Sequence, residues 1–251
     1  DPVDPPRNFD LVVFDWDGTL ADSTTLIADA IQAGCRDLGE PSPGQQAARF
    51  VIGLGFASAV RHVAPGLDPS AYATFSAAYR KHYMAGEARI ELFEGARELL
   101  RDLDASGYKL AIATGKSRAG LQHALSQSGL AGVFHATRCA DEGRPKPHPD
   151  MLHNLMRILA AEPVRTLMVG DTSHDLELAS NAGACSIAVT YGAHGEVVNT
   201  TAEFGPALPR ALAHAKDKSL PALIELRYDG NLITPGLTLE QIRGNALKAK
   251  A

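Results

Sequence analysis

A short apolar run that ends in two closely spaced carboxylates constrains this chain more than any other feature. Residues 11–14 are Leu-Val-Val-Phe, and Asp15, Trp16, Asp17 and Gly18 follow directly. An apolar run of this length, bounded by a turn signal, is typical of a buried strand in a parallel sheet. In open α/β sheets, ligands bind outside the carboxyl ends of the strands. The sequence therefore predicts a ligand site at the two aspartates.

Two aspartates this close in sequence are compatible with few chemical roles. Two carboxylates this close repel each other unless a cation or a proton intervenes. Mg²⁺ prefers oxygen ligands and keeps open positions that a phosphate can fill, and an aspartate beside it can act as a nucleophile and form an aspartyl phosphate. The alternative interpretation is a solvated Asp-Gly turn at the end of a strand.

Three further strands are predicted downstream, separated by segments with helical periodicity. They cover residues 109–114, 166–169 and 186–190. Strands that alternate with helices indicate right-handed βαβ units and a parallel sheet covered on both faces. The predicted fold class is therefore α/β, with a Rossmann-like, doubly wound parallel sheet as the core.

A long helical block interrupts this alternation. Residues 23–89 are rich in alanine and contain no strand pattern, so they are predicted to form a second, helical domain inserted after the first strand. The core domain is then discontinuous and comprises residues 8–22 and 90–226. Residues 227–251 are predicted to be a tail with no assigned role.

Polar groups follow the other strands as well. Thr114 ends the second strand, and Asp171 and Asp175 follow the third strong one. Lys146 lies in a proline-rich loop, where it would be a fixed point charge able to neutralise a phosphate. Taken singly, the lysine is typical of an exposed loop, and the aspartates are typical of a helix N-terminus. All of these groups together, each beside a strand end, indicate one site.

Four sequence motifs together indicate a resemblance to one protein family. They are Asp-Trp-Asp-Gly-Thr at 15–19, Thr114, Lys146 followed by Pro-His-Pro, and Gly-Asp-Thr-Ser-His-Asp at 170–175. With these motifs, residues 8–192 resemble the haloacid dehalogenase superfamily, in the branch typified by phosphoglycolate phosphatase. In that branch a helical cap lies between the first and second motifs, which agrees with the inserted block.

The resemblance implies a role for each catalytic residue. Asp15 is expected to be the nucleophile that accepts the phosphoryl group, and Asp17 the general acid and then the general base. Thr114 is expected to hold a phosphate oxygen, and Lys146 to pair with Asp15 and the phosphoryl group. Charge neutralisation and in-line positioning of this kind are what phosphoryl transfer requires.

The resemblance also implies Mg²⁺ as cofactor. Its expected ligands are Asp15, the backbone carbonyl of Asp17 and Asp171, with Asp175 as a ligand or close neighbour. The expected substrate-binding residues are Gly18, Thr114, Gly115, Lys116 and Arg49. Arg49 would clamp a second anionic group of the substrate, because a guanidinium group suits a carboxylate; its alternative role is to end a helix and pack its stem.

The expected activity is Mg²⁺-dependent hydrolysis of a small phosphomonoester, either phosphoglycolate-like or a sugar phosphate. Dehalogenases of the superfamily lack the second aspartate, so Asp17 argues against dehalogenation, and the inserted block has only Lys81 as a candidate for the Schiff base of a phosphonatase. A phosphomutase of the β-phosphoglucomutase type remains open. So does a regulatory or binding protein without turnover, although response-regulator receiver domains carry their acceptor aspartate on a later strand.

Composition restricts partners and location. The net charge of −5 predicts no nucleic-acid partner, and no apolar segment reaches membrane length. Three isolated cysteines and no apolar signal core near residue 1 favour a cytoplasmic protein. An aromatic share of 6% argues against a nucleobase-stacking surface and favours a small phosphorylated metabolite. A monomer or a homodimer is expected.

Overall fold

A five-stranded parallel sheet forms the centre of the protein. The computed structural model describes residues 9–189 and 191–193, together with four short strands farther along the chain. The strand order is β3-β2-β1-β4-β5, and every pairing is parallel. The strands are β1 (Leu11–Phe14), β2 (Lys109–Thr114), β3 (Ala136–Cys139), β4 (Thr166–Gly170) and β5 (Cys185–Ala188).

Eight α-helices accompany this sheet within the described residues. Four lie between β1 and β2: α1 (Thr24–Asp37), α2 (Gln45–Phe50), α3 (Phe56–Val63) and α4 (Tyr72–Gly86). The others are α5 (Ala96–Ala105), α6 (Arg118–Gln127), α7 (Asp150–Leu159) and α8 (Ser173–Ala182). None of these helices combines the length and apolar character needed to cross a membrane.

The strand order places a topological switch point at the centre of the sheet. From β1 the chain proceeds outward to β2 and β3, and then returns to the other side of β1 as β4 and β5. In register, Phe14 lies between Ile112 of β2 and Val169 of β4. Ligands of doubly wound sheets bind where the order reverses. The end of β1, where Asp15 follows, is therefore the expected place for a site.

Both faces of β1 are buried, which explains its continuous apolar run. Leu11 and Val13 pack into the apolar cluster formed with α7 and α8, while Val12 and Phe14 pack into the cluster on the opposite face. Successive side chains of a strand point to opposite faces. A sheet covered on both sides therefore needs an apolar residue at every position.

The helices α1–α4 share an apolar cluster of their own. Ile27, Ile31, Val60 and Phe75 are among its buried members. Residues 23–89, all of which the structure describes, contain no strand, so the predicted helical character of this block is confirmed. Its boundaries as a separate domain stay a prediction, as do those of the core at 8–22 and 90–226.

Within the central sheet, the strand predictions are confirmed with one omission. Residues 109–114 form β2, residues 166–169 fall in β4, and the predicted strand at 186–190 overlaps β5, which begins one residue earlier and ends at Ala188; Thr190 lies outside the described residues. The missed strand is β3, whose sequence Ala-Thr-Arg-Cys is at the edge of the sheet and has only Cys139 buried. An edge strand with so few buried positions leaves little hydrophobic pattern to detect.

The chain divides into two compact units, Asp1–Gly195 and Glu196–Ala251. In the second unit the structure describes a parallel pair, β6 (Val197–Val198) and β7 (Glu225–Leu226), and an antiparallel pair, β8 (Leu232–Thr234) and β9 (Leu237–Thr238). The predicted tail at 227–251 otherwise lies outside the described residues.

The packing of α7 on the sheet gives a stability test. Leu152 of α7 is 0% exposed, whereas Leu99 of α5 is 49% exposed. We expect Leu152→Ala to lower the free energy of unfolding by about 2–5 kcal/mol, because it removes buried methyl groups and leaves a cavity. Leu99→Ala is the matched control, with a change below about 0.5 kcal/mol. Urea unfolding followed by circular dichroism measures both, and equal losses would contradict the described core.

Candidate active site

Asp15 lies at the carboxyl end of β1 and is 1% exposed. Its Oδ1 accepts a hydrogen bond of 2.7 Å from the backbone N–H of Trp16 and lies 3.0 Å from Nζ of Lys146. Its Oδ2 is buried and has no hydrogen-bond partner among the described residues. A buried carboxylate oxygen without a partner is costly to a fold. This atom is therefore available to a ligand.

Lys146 is buried, although its proline-rich loop would suit an exposed residue. Its Nζ donates a hydrogen bond of 2.6 Å to Oδ1 of Asp175, and the Lys146–Pro147 peptide bond is cis. Burial alone would lower the pKa of this lysine, but the charges of Asp15 and Asp175 more than reverse the effect, so its pKa is raised. Lys146 is therefore a fixed positive charge beside Asp15.

The end of β4 supplies the next two carboxylates. Oδ1 of Asp171 accepts from Thr19 Oγ1 at 3.0 Å, and its Oδ2 accepts from the backbone N–H of Ala193 at 2.6 Å. Oδ2 of Asp175 accepts from the backbone N–H and the hydroxyl of Thr172, which forms a capping box at the start of α8. Asp175 thus caps the first turn of α8 and also holds Lys146.

Three buried carboxylates converge here. One oxygen from each of Asp15, Asp171 and Asp175 lies within 4.8 Å of the others. Burial raises the pKa of Asp15 to about 7, with Lys146 opposing the rise and Asp175 and Asp17 adding to it. Burial and the charges of Asp15 and Asp175 raise the pKa of Asp171 well above its usual value. An all-oxygen donor set with excess negative charge and an unpartnered oxygen fits a hard divalent cation such as Mg²⁺.

Asp17 is held apart from this cluster by a different set of contacts. Its Oδ1 accepts from Ser23 Oγ at 2.7 Å and lies 3.0 Å from Nζ of Lys116. The same lysine donates to the hydroxyl of Tyr83 at 3.0 Å. A chain of contacts therefore runs from α4 to Asp17 through Lys116, which the sequence predicted to reach the phosphate.

Burial would lower the pKa of Lys116, but Asp17 and the hydroxyls of Tyr83 and Tyr79 raise it overall. The lysine therefore stays charged and fixes the orientation of the Asp17 carboxylate. Neither Ser23 nor Tyr83 was predicted as a site residue. Ser23 is close to the first motif in sequence, but nothing in the sequence places Tyr83 at this lysine.

Thr114 and Gly115 lie at the end of β2, beside the end of β1. Thr114 is fully buried, and its Oγ1 accepts from the backbone N–H of Lys116 at 3.2 Å. A Cβ added to Gly115 would lie 2.8 Å from the carbonyl oxygen of Gly53, so this position has no room for a side chain. A Cβ added to Gly53 would lie 4.0 Å from Oδ2 of Asp15. The loop between α2 and α3 therefore closes over the nucleophile candidate.

Gly18 and Arg49 both make close contacts within the protein. Gly18 has a φ of +81°, and a Cβ there would lie 2.1 Å from Oδ2 of Asp171, so the glycine makes room for this carboxylate. Nη2 of Arg49 donates to Oγ1 of Thr25 at 3.1 Å, and Arg49 does not line the cavity that contains Asp15. Substrate binding by either residue stays a prediction.

The structure thus gathers the four predicted motifs at one edge of the sheet. Around them it adds polar residues that the sequence analysis passed over, namely Thr19, Ser23, Tyr83 and Thr172. Thr19 ends the first motif and Thr172 lies inside the fourth, so motif membership could have identified both.

The family assignment follows from comparison with known proteins. The model of the haloacid dehalogenase-like hydrolases matches residues 12–189. The chain belongs to this family. A probable phosphatase, IndB from Dickeya dadantii, is 38% identical over 190 residues, which cover 73% of this chain and 82% of that protein.

Two other relatives carry different names. A predicted phosphoglycolate phosphatase from Haemophilus somnus superposes with a TM-score of 0.64 at 27% identity, covering 74% of this chain and 87% of that one. The tyrosine-protein kinase PtkA from Mycobacterium tuberculosis is 34% identical over 190 residues, which cover 75% of this chain but only 64% of the kinase. Because these names differ, family membership alone does not give the substrate.

The crowded carboxylates predict a pH-dependent gain of stability in Asp15→Asn. The folded protein raises the pKa of Asp15 from 3.8 to about 7, so ionising this group costs the fold stability as the pH rises through that window. In EDTA we expect the variant to match the wild type near pH 4 and to exceed it by on the order of 4 kcal/mol at pH 8. Thermal unfolding at both pH values measures this difference.

Asp102→Asn is the matched control, because Asp102 is an exposed residue of α5. It removes the same charge without relieving the cluster and is expected to unfold like the wild type. A gain of stability for Asp15→Asn that is equal at pH 4 and pH 8 would contradict the raised pKa.

Proposed function

We propose that this haloacid dehalogenase-like phosphatase hydrolyses a small phosphomonoester in two steps, through an aspartyl phosphate on Asp15 and with Mg²⁺ as cofactor. The observation that carries the proposal is the asymmetry of the Asp15 carboxylate. Its Oδ1 is held by Trp16 and Lys146, while its buried Oδ2 has no partner among the described residues. A carboxylate oriented in this way presents one oxygen for attack on phosphorus.

In the first step, Oδ2 of Asp15 attacks phosphorus and the bond to the ester oxygen breaks. Lys146, 3.0 Å from Oδ1, offsets the negative charge of the reacting groups. The Thr114 hydroxyl and the backbone at Gly115 are the groups at the end of β2 suited to hold phosphoryl oxygens. Asp17, in its protonated form, gives its proton to the departing alkoxide, which leaves as the alcohol.

In the second step, Asp17 acts as a base. Its carboxylate takes a proton from a water molecule as the water oxygen attacks phosphorus, and the bond between phosphorus and Oδ2 of Asp15 breaks. Inorganic phosphate leaves and Asp15 returns to its carboxylate form. Ser23 and Lys116 keep Asp17 in one orientation through both steps. Their contacts are made to Oδ1, so they position the carboxylate through one of its two oxygens.

The residues suited to hold Mg²⁺ are Asp15, Asp171 and the backbone carbonyl of Asp17. Asp175 belongs to the same carboxylate cluster, but its Oδ1 is paired with the charged Lys146, whereas the oxygens of Asp171 accept only from the neutral donors Thr19 and Ala193. It is better suited to hold the lysine in place. When bound, the cation neutralises charge on the phosphoryl group and on the carboxylates.

Hydrolysis of p-nitrophenyl phosphate tests the proposal directly. We expect phosphate release in Mg²⁺ that stops in EDTA and returns when Mg²⁺ is restored. Asp15→Asn removes the attacking oxygen and is expected to abolish turnover, whereas Asp102→Asn keeps it, because Asp102 is exposed on α5. A panel that includes phosphoglycolate and sugar phosphates then compares the predicted substrate classes. Turnover that survives Asp15→Asn would contradict the aspartyl-phosphate mechanism.

Asp17→Asn separates the two steps. Loss of the acid and base is expected to lower kcat by a factor of about 10²–10⁴. Acid quenching with ³²P-labelled substrate measures the phosphoenzyme, which we expect to be acid-stable and absent from Asp15→Asn. Unchanged kcat in Asp17→Asn would overturn its role. A wild-type phosphoenzyme that persists without release of phosphate would favour the phosphomutase alternative.

A further inference from the structure

A cavity of about 470 Å³ lies between α1, α3 and α4 on one side and the ends of β1 and β2 on the other. Asp15 and Asp17 line one end of it, so it is continuous with the proposed reaction site. Its volume falls in the range of about 300–1,000 Å³ that is typical of pockets for small organic ligands. Most of its wall is apolar, including Ile27, Ile31, Val60, Val63, Phe75 and Tyr79.

Part of this apolar wall is exposed. Ile31, Val60 and Phe75 belong to the buried cluster of α1–α4, as expected for any helical bundle. Phe56 and Met84 also line the cavity, yet they are 42% and 54% exposed. Large apolar side chains left this open beside a pocket are available to a ligand.

Aromatic rings are concentrated at the same wall. The ring centroids of Phe56 and Phe75 lie 6.3 Å apart. The ring of Tyr79 stacks on that of Tyr83, with 5.8 Å between the centroids and an interplanar angle of 26°. The low aromatic share of the whole chain gave no sign of this arrangement. Four of its aromatic rings nevertheless line this one cavity.

Two of the three basic side chains that line the cavity are already paired with carboxylates. Nζ of Lys116 lies 3.0 Å from Oδ1 of Asp17, and Nε2 of His123 lies 3.3 Å from Oε2 of Glu87. The third, Arg80, is exposed. Most of the wall that a substrate carboxylate would meet is apolar, and Glu87 adds a negative charge. An anionic group buried without a partner costs binding free energy.

We infer that the substrate is a phosphate monoester of an apolar alcohol, with an alkyl or aryl body that fills the space between Phe56, Tyr79 and Met84. This assignment deepens the proposed function and rests on it, because the phosphoryl group is placed at Asp15. It selects an apolar ester over phosphoglycolate or a sugar phosphate. The affinity for the alcohol part then comes from burial of apolar surface.

A series of alkyl phosphates tests the inference without a change in leaving-group chemistry. From ethyl to butyl phosphate we expect kcat/KM to rise about fourfold per methylene, the factor that corresponds to burial of one methylene group. Phosphoglycolate matches ethyl phosphate in its carbon count and adds a carboxylate, and it is expected to react more slowly than ethyl phosphate. A flat series, or phosphoglycolate well above butyl phosphate, would overturn the inference.

A matched pair of variants locates the effect in the cavity. Phe56→Ser removes an exposed ring from the wall and is expected to lower the ratio of kcat/KM for butyl over ethyl phosphate several-fold. Leu99→Ser, at a position of α5 that is 49% exposed and outside the cavity, is expected to keep the wild-type ratio. An unchanged ratio in Phe56→Ser would contradict the proposed wall.

Binding of alkylphosphonates, which have no ester bond to hydrolyse, separates this inference from the proposed function. In calorimetry with Mg²⁺, butylphosphonate is expected to bind more tightly than ethylphosphonate. If that order holds while no ester is hydrolysed, the apolar pocket is supported and the phosphatase mechanism fails. If esters are hydrolysed but the two phosphonates bind equally, the mechanism is supported and the apolar substrate is wrong.

Discussion

The contact of Lys146 with Asp15 and Asp175 is the interaction on which the rest of the site depends. It joins the end of β1, a loop between β3 and α7, and the first turn of α8, all with 0–1% side-chain exposure. Replacing Lys146 with a neutral residue would leave these carboxylates buried without a counter-charge, which is strongly destabilising. Because one lysine faces three carboxylates, the site still carries excess negative charge. The fold thus accepts an electrostatic cost at the place where a bound cation would relieve it.

The position of this site could be predicted from sequence because it follows from sheet topology. The run at residues 11–14 and the motifs at Asp15, Thr114 and Asp171 each mark a strand end, and parallel strands bring those ends to one edge. The edge strand β3 was missed because its side chains are mostly half-buried. The contact of Tyr83 with Lys116 was missed for a different reason, because it depends on how α4 packs and leaves no local pattern.

The prediction for Arg49 rests on the charge of the side chain and not on its position. Arg49 suits a second anionic group by charge alone, yet in the structure its guanidinium contacts Thr25 and lies outside the cavity. The apolar wall of the cavity, by contrast, could not be recognised from sequence, because its residues have the helical spacing that any packed bundle shows. Residues such as Ile31 and Phe75 have the same spacing whether they face a core or a ligand. Only the cavity, together with the exposure of Phe56 and Met84, distinguishes a wall that faces a ligand from one that faces a core.

The contact between Gly53 and Gly115 has a consequence for how this scaffold can change over evolution. A carbonyl oxygen of the α2–α3 loop occupies the place where a side chain at 115 would begin, so the two backbones meet without side chains between them. No substitution at Gly115 can add a group to the site without pushing that loop away from Asp15. New specificities must then arise on the helices, whose side chains line the far wall, while the reacting end keeps a constant shape.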